Sequence, residues 1–186
     1  TGGIMDGSAA NVRLFLIGPM GSGKSTVGRH LSDLLDCPFI DSDTEIESRA
    51  GADIPWIFDV EGEAGFRRRE TTVLKDLVEN PSAVIATGGG AILAAENREM
   101  MSRAGVVVFL DVSLAQQLKR TGSGEGRPLL QQGDREETLK RLMAEREPLY
   151  RALADVIISA GGGNARTVAR QIEAVLRERG LIPPPR

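Results

Sequence analysis

The sequence predicts an α/β fold in three layers, a five-stranded parallel sheet with helices on both faces. Three observations predict it. Short apolar runs alternate with segments of helical periodicity along the chain, the pattern of a parallel sheet with crossover helices. Gly18-Pro19-Met20-Gly21-Ser22-Gly23-Lys24-Ser25 fits G-x-x-x-x-G-K-[ST], the P-loop pattern. Three chemically suggestive stretches fall at strand ends, where such sheets bind ligands.

Residues 12–17 are a short apolar run and form the first strand. Gly18, Gly21 and Gly23 allow backbone conformations that a Cβ forbids. Successive N–H groups can then surround phosphate oxygens. The N-terminus of the helix over 26–35, with Val27, Leu31, Leu34 and Leu35 on its apolar face, adds partial positive charge. Lys24 supplies a mobile charge for the β- and γ-phosphates of ATP. The Ser25 hydroxyl is placed to ligate Mg²⁺, and Gly21, Ser22, Gly23 and Thr26 complete the cradle. A glycine-rich turn with a surface lysine is the bland alternative, and the strand–loop–helix context argues against it.

Pro38-Phe39-Ile40 is a second strand, ending in Asp41-Ser42-Asp43. A helix over 44–49 stops at Gly51. Asp53 and Pro55 suit the N-cap and first turn of a short helix with Ile54, Ile57 and Phe58 inward. After Gly62 a longer helix runs through Phe66, Val73 and Leu77 to Asn80-Pro81. Residues 83–86 form the third strand, closed by Thr87-Gly88-Gly89-Gly90. A helix over 95–103, a strand over 106–110 and a helix over 113–120 follow. Residues 121–134, with four glycines and one proline, form a long loop of the kind that is functional or disordered. A helix over 135–153, a fifth strand over 155–159, a glycine turn and a helix over 164–179 complete the chain. The single domain covers 11–180. Residues 1–10 are set aside as a tag remnant and flexible N-terminus. Residues 181–186, rich in proline, form a flexible tail.

Composition narrows the function. A net charge of −3 gives no support for nucleic acid or a membrane surface as a partner. No apolar run approaches the ~18 residues of a transmembrane helix and no signal peptide pattern is visible, so a cytoplasmic location is expected. With one cysteine, Cys37, there is no internal disulfide or cysteine metal cluster. His30, the one histidine, reads as structural. Nineteen of the 23 basic residues are Arg, which suits bidentate capture of carboxylate and phosphate and equally reflects a compositional bias of the source. The absence of a uniformly apolar helix or an assembly tail predicts a monomer.

At the strand ends, Asp41 and Asp43 are two residues apart. In extended chain both carboxylates face one way, one able to support Mg²⁺ and the other to accept a hydrogen bond from a substrate hydroxyl. Capping of the following helix by Asp43 is the competing reading. Arg67-Arg68-Arg69-Glu70 puts three cations on one helical turn; taken alone, Arg67 and Glu70 at i, i+3 pair on a solvated face. Gly88-Gly89-Gly90 is either a plain turn or a close approach of backbone to ligand. Arg127 lies in the 121–134 loop, where an arginine can close over a transferring phosphate.

The order GPMGSGKST, FIDSDTEIE, DVEGEAGFRRRE, IATGGGAIL, GRPLL, REPLYR resembles the shikimate kinases over nearly the whole chain. The resemblance implies the P-loop kinase fold of nucleoside-monophosphate kinases, sheet order 2-3-1-4-5, a substrate-binding segment over about 43–75 and a mobile lid over 121–134. It implies transfer of phosphate from ATP to the shikimate 3-hydroxyl in aromatic amino-acid biosynthesis. Lys24 then contacts ATP phosphates, while Ser25 and Asp41 serve Mg²⁺. Asp43 binds the shikimate hydroxyls and is the candidate base. Arg67 and Arg146 clasp the carboxylate, Glu70 orients the arginines, and Gly88, Gly89 and Gly90 face the substrate. Arg127 is the lid arginine on the phosphates and Arg120 lies near adenine. Asn164 falls in the adenine loop, where some relatives have Asn-Pro and this chain has Asn164-Ala165. A gluconate-type kinase and a catalytically silent nucleotide-binding module are the alternatives. The Asp43, Arg67 and Arg146 set argues against the first, and the intact Lys24, Asp43 and Arg127 against the second.

Overall fold

The computed structural model describes residues 11–122, 134–161 and 163–185. Strands β1 (Arg13–Ile17), β2 (Phe39–Asp41), β3 (Ala83–Ala86), β4 (Val106–Asp111) and β5 (Val156–Ser159) form one sheet in the order β2-β3-β1-β4-β5, every pairing parallel. The helices are α1 (Lys24–Leu35), α2 (Ser42–Ala50), α3 (Ile54–Leu77), α4 (Ala95–Ala104), α5 (Leu114–Thr121), α6 (Arg135–Leu153) and α7 (Ala165–Glu178). A 3-10 turn at Ala91–Leu93, too short to leave a periodic signal, was not visible in the sequence.

Alternation along the strands divides the core into two layers. Leu14 and Leu16 of β1, with Val108 and Leu110 of β4, pack against Val27 and Leu31 of α1 and Ile172 and Leu176 of α7. Phe15, Ile17, Val107 and Phe109 face the other way, against Phe66 and Leu74 of α3, Met101 of α4 and Tyr150 of α6. Phe15 stands opposite both Ile85 and Val107, so apolar rows run straight across the sheet. Burial on both faces explains why the central strands read as unbroken apolar runs.

Of the boundaries that differ from the sequence reading, three bear on the site or the core. α1 begins at Lys24 because Gly23, in the left-handed region at φ 85°, is its N-cap. α2 begins at Ser42, since Asp41 is the cap: its Oδ1 accepts from Asp43 N at 2.9 Å and Thr44 N at 3.2 Å. Asp43 therefore lies in the first helical turn, which corrects both the extended-spacing argument and the reading of Asp43 as a cap. At the other end of the chain, Ile182 is buried in the first core layer, two residues beyond 180, while Pro183, Pro184 and Pro185 are exposed.

α3 is one helix only in outline. Gly62 breaks it at φ 72°, ψ 176°, separating the short and long helices the sequence suggested. Among the described residues, no helix is long and apolar enough to cross a membrane.

Candidate active site

A cavity of about 500 Å³ opens at the carboxyl ends of the strands. Gly21, Ser22, Gly23, Lys24, Ser25 and Thr26 form one wall. Asp41 and Asp43 form a second, Thr87, Gly88 and Gly89 a third, and Arg120, Ala160, Gly163 and Ala165 the far end. Lys24 Nζ donates to Gly18 O at 2.7 Å and Pro19 O at 3.0 Å, folding back over its own loop. Ser25 Oγ donates to Asp41 Oδ2 at 2.5 Å. One oxygen of Asp41 thus caps α2 while the other meets the P-loop. Arg120 Nη1 donates to Gly21 O at 3.1 Å and Nη2 to Ala160 O at 3.5 Å, tying the P-loop to the segment after β5.

One expected nucleotide residue among those described does not line this cavity. Asn164 does not line it; its Oδ1 caps α7, accepting from Thr167 N at 2.9 Å and Oγ1 at 3.0 Å, and its neighbours Gly163 and Ala165 line the cavity instead. Arg127 lies outside the described residues.

A second set of residues gathers around the glycine turn. A Cβ on Gly88 would sit 2.7 Å from Asp43 Oδ1 and 3.0 Å from Glu70 Oε2. One on Gly89 would sit 3.4 Å from Arg146 Nη1, and one on Gly90 2.6 Å from the Arg67 Cζ. The three glycines make room for four charged side chains from α2, α3 and α6. Arg67 Nη1 donates to Glu70 Oε1 at 3.0 Å, and Glu70 is buried. The i, i+3 pair is therefore not on a solvated face.

Asp43 Oδ1, Glu70 Oε2, Arg67 Nε and Arg146 Nε are enclosed without hydrogen-bond partners. Burial raises the Asp43 carboxyl to about 7; Glu70 and Asp41 add to the rise, and Lys24 and Arg67 oppose it. Burial likewise raises Glu70, opposed by Arg67 and Arg146. Orphaned buried groups carry a desolvation cost, and a ligand offering a carboxylate to the arginines and hydroxyls to the carboxylates would remove it.

Two residues at the turn were missed in the sequence. Ser42 Oγ accepts from Gly88 N at 3.2 Å, and Tyr150 Oη donates to Gly89 O at 2.5 Å. Both lie inside motifs already quoted. Tyr150 stands one helical turn after Arg146, a spacing that signals a shared face.

A family model for shikimate kinase matches residues 20–177. The chain belongs to the shikimate kinase family. The shikimate kinase of Halorhodospira halophila is 54% identical over 165 residues, spanning 89% of this chain and 93% of that protein. That of Vibrio parahaemolyticus is 51% identical over 166 residues, spanning 89% and 96%. Among solved structures, shikimate kinase from Acinetobacter baumannii in complex with shikimate has a TM-score of 0.91 at 47% identity, covering 93% of this chain and 97% of that one. Thymidylate kinase from Candida albicans, at 15% identity and a TM-score of 0.58, shares the fold alone. The strand order 2-3-1-4-5 is thus that of the shikimate kinases, and the chain is a kinase that takes ATP as co-substrate.

Proposed function

We propose that the chain transfers the γ-phosphoryl group of ATP to the 3-hydroxyl of shikimate, giving shikimate 3-phosphate and ADP. The observation that carries this is the convergence on a glycine turn beside the P-loop cavity of four charged side chains, two arginines and two carboxylates, each with one buried atom that has no hydrogen-bond partner. A compact polyol bearing one carboxylate matches that set.

Position and resemblance support the following roles. The P-loop amides of 21–26 and Lys24 hold the phosphates, with Arg120 at the nucleotide's far side. Ser25 Oγ and Asp41 Oδ2, 2.5 Å apart, are hard oxygens that would hold Mg²⁺. The ion, when bound, neutralises charge on the β- and γ-phosphates. Arg67 and Arg146 take the substrate carboxylate, and Glu70 holds Arg67 in place. Asp43 accepts the proton of the attacking hydroxyl as the new O–P bond forms and the bond from the γ-phosphorus to the β–γ bridging oxygen breaks, releasing ADP. Arg127, by resemblance, acts on the transferring group. Residues 43–75 serve as the substrate-binding segment of the domain.

A coupled assay of ADP release with shikimate, with gluconate and without acceptor tests the reading. Release dependent on shikimate supports it. Release dependent on gluconate, or none with either acceptor in a protein that binds ATP, overturns it.

A further inference from the structure

We propose that Tyr150 is a positioning residue for the substrate carboxylate, its hydroxyl holding the Gly89 carbonyl and the Arg146 guanidinium in one arrangement. The inference rests on the reading of Arg146 as a carboxylate ligand. Tyr150 is completely buried, and its ring stacks on Phe109 of β4 with centroids 5.0 Å apart and planes at 19°. Its oxygen donates to Gly89 O at 2.5 Å. Arg146 precedes it by four residues on α6, so the two side chains leave one face a turn apart. Gly89 closes the triangle, since a Cβ there would lie 3.4 Å from Arg146 Nη1.

The turn is gripped from two sides, by Ser42 at Gly88 N and by Tyr150 at Gly89 O. Burial pushes the phenol up to about 12, with the facing Arg146 guanidinium opposing the rise, so the hydroxyl keeps its proton and goes on donating throughout the neutral range. Phenylalanine would stack on Phe109 equally well. The hydroxyl is the part that needs a partner when buried, and its partner is a carbonyl in the substrate-facing turn.

Y150F keeps the ring and its stack and removes only the oxygen. The shikimate KM should rise about tenfold, the loss of one hydrogen bond to the turn, with kcat and the ATP KM within about twofold of wild type. Adding Y150F to R146A should raise the KM no further, because no guanidinium remains to be held. F109L, which loosens the stack without touching the hydroxyl, should lower the melting temperature and leave the shikimate KM in place. Tyr150 is the only tyrosine in the chain, so 3-fluorotyrosine supplied during growth labels this position alone. Its fluorine resonance should move on addition of shikimate and stay in place on addition of ADP, a readout that depends on no variant folding.

A wild-type KM in Y150F, a multiplied penalty in the double variant, an F109L protein that reproduces the Y150F effect, or a resonance silent to shikimate would each overturn the inference. R146A with an unchanged shikimate KM would sink the reading of Arg146 and this inference together. A raised KM in R146A beside a normal one in Y150F would sink this inference alone.

Discussion

Asp41 and Asp43 stand two residues apart, yet the structure gives them different neighbours, and substitutions should separate them. Asn retains a capping oxygen, so D41N should keep α2 and the fold; its activity loss should be partly restored by raising Mg²⁺, because mass action refills a weakened site. D43N should lose kcat at every Mg²⁺ concentration, having lost the proton acceptor. A Mg²⁺ titration of both variants checks this, and rescue of D43N instead of D41N would reverse the roles. Asp43 also makes a stability prediction. Its carboxyl titrates near 7 in the folded chain and near 4 when unfolded. The folded state therefore binds more protons between those values, and stability falls as pH rises through that window. In EDTA without substrates, D43N should melt above wild type at pH 8, with the gap closing toward pH 4; equal melting at pH 8 would contradict the assignment. The sequence exposed both aspartates, and their proximity was legible. The helix boundary between them was not, because it depends on which of two equivalent residues caps.

At the scale of elements, the glycine turn and the break in α3 call for opposite outcomes. A Cβ at Gly90 meets the far end of the Arg67 side chain rather than backbone. The guanidinium can yield, so G90A should keep its melting temperature. Displacing that charged donor should raise the shikimate KM by roughly 10–100-fold, the equivalent of ~1.5–3 kcal/mol. Kinetics beside a melting curve checks it, and a fall in stability with normal kinetics would refute it. At Gly62 a Cβ would meet nothing within 4 Å, but φ 72°, ψ 176° is a glycine conformation. G62A should therefore cost about 1–3 kcal/mol in backbone strain, some 2–12 °C in a domain of this size, measurable by calorimetry. The strands were readable because both their faces are apolar, and Gly62 because it interrupts a helical pattern. The burial of Glu70 was hidden: the same i, i+3 spacing describes an exposed pair and an enclosed one, and only the packing of α3 on α2 and the sheet decides.

Across the whole molecule, strand order brings together residues that the chain separates widely. Arg67 lies on α3 and Arg146 on α6, and both reach the turn after β3. Periodicity carries no strand order, so this pairing could be read only through the resemblance, and Tyr150, an ordinary core aromatic by sequence, not at all. Because the proposed nucleotide residues sit on the P-loop, α1 and α5 and the proposed substrate residues on α2, α3 and α6, each ligand should stabilise the protein alone. At a hundredfold excess over Kd each contributes about 2.7 kcal/mol, a rise of roughly 5–11 °C. R146A should lose the response to shikimate and keep that to ADP; loss of both would mean the variant disturbs the fold rather than a contact. The wall that the proposed function gives to both ligands is backbone, bordered at Gly88 by Asp43 and Glu70 and at Gly90 by Arg67, the side chains proposed to hold the substrate. An inhibitor resting on that wall would therefore face little escape by mutation, since a larger residue that pushes the drug away also pushes Asp43 or Arg67 from its post.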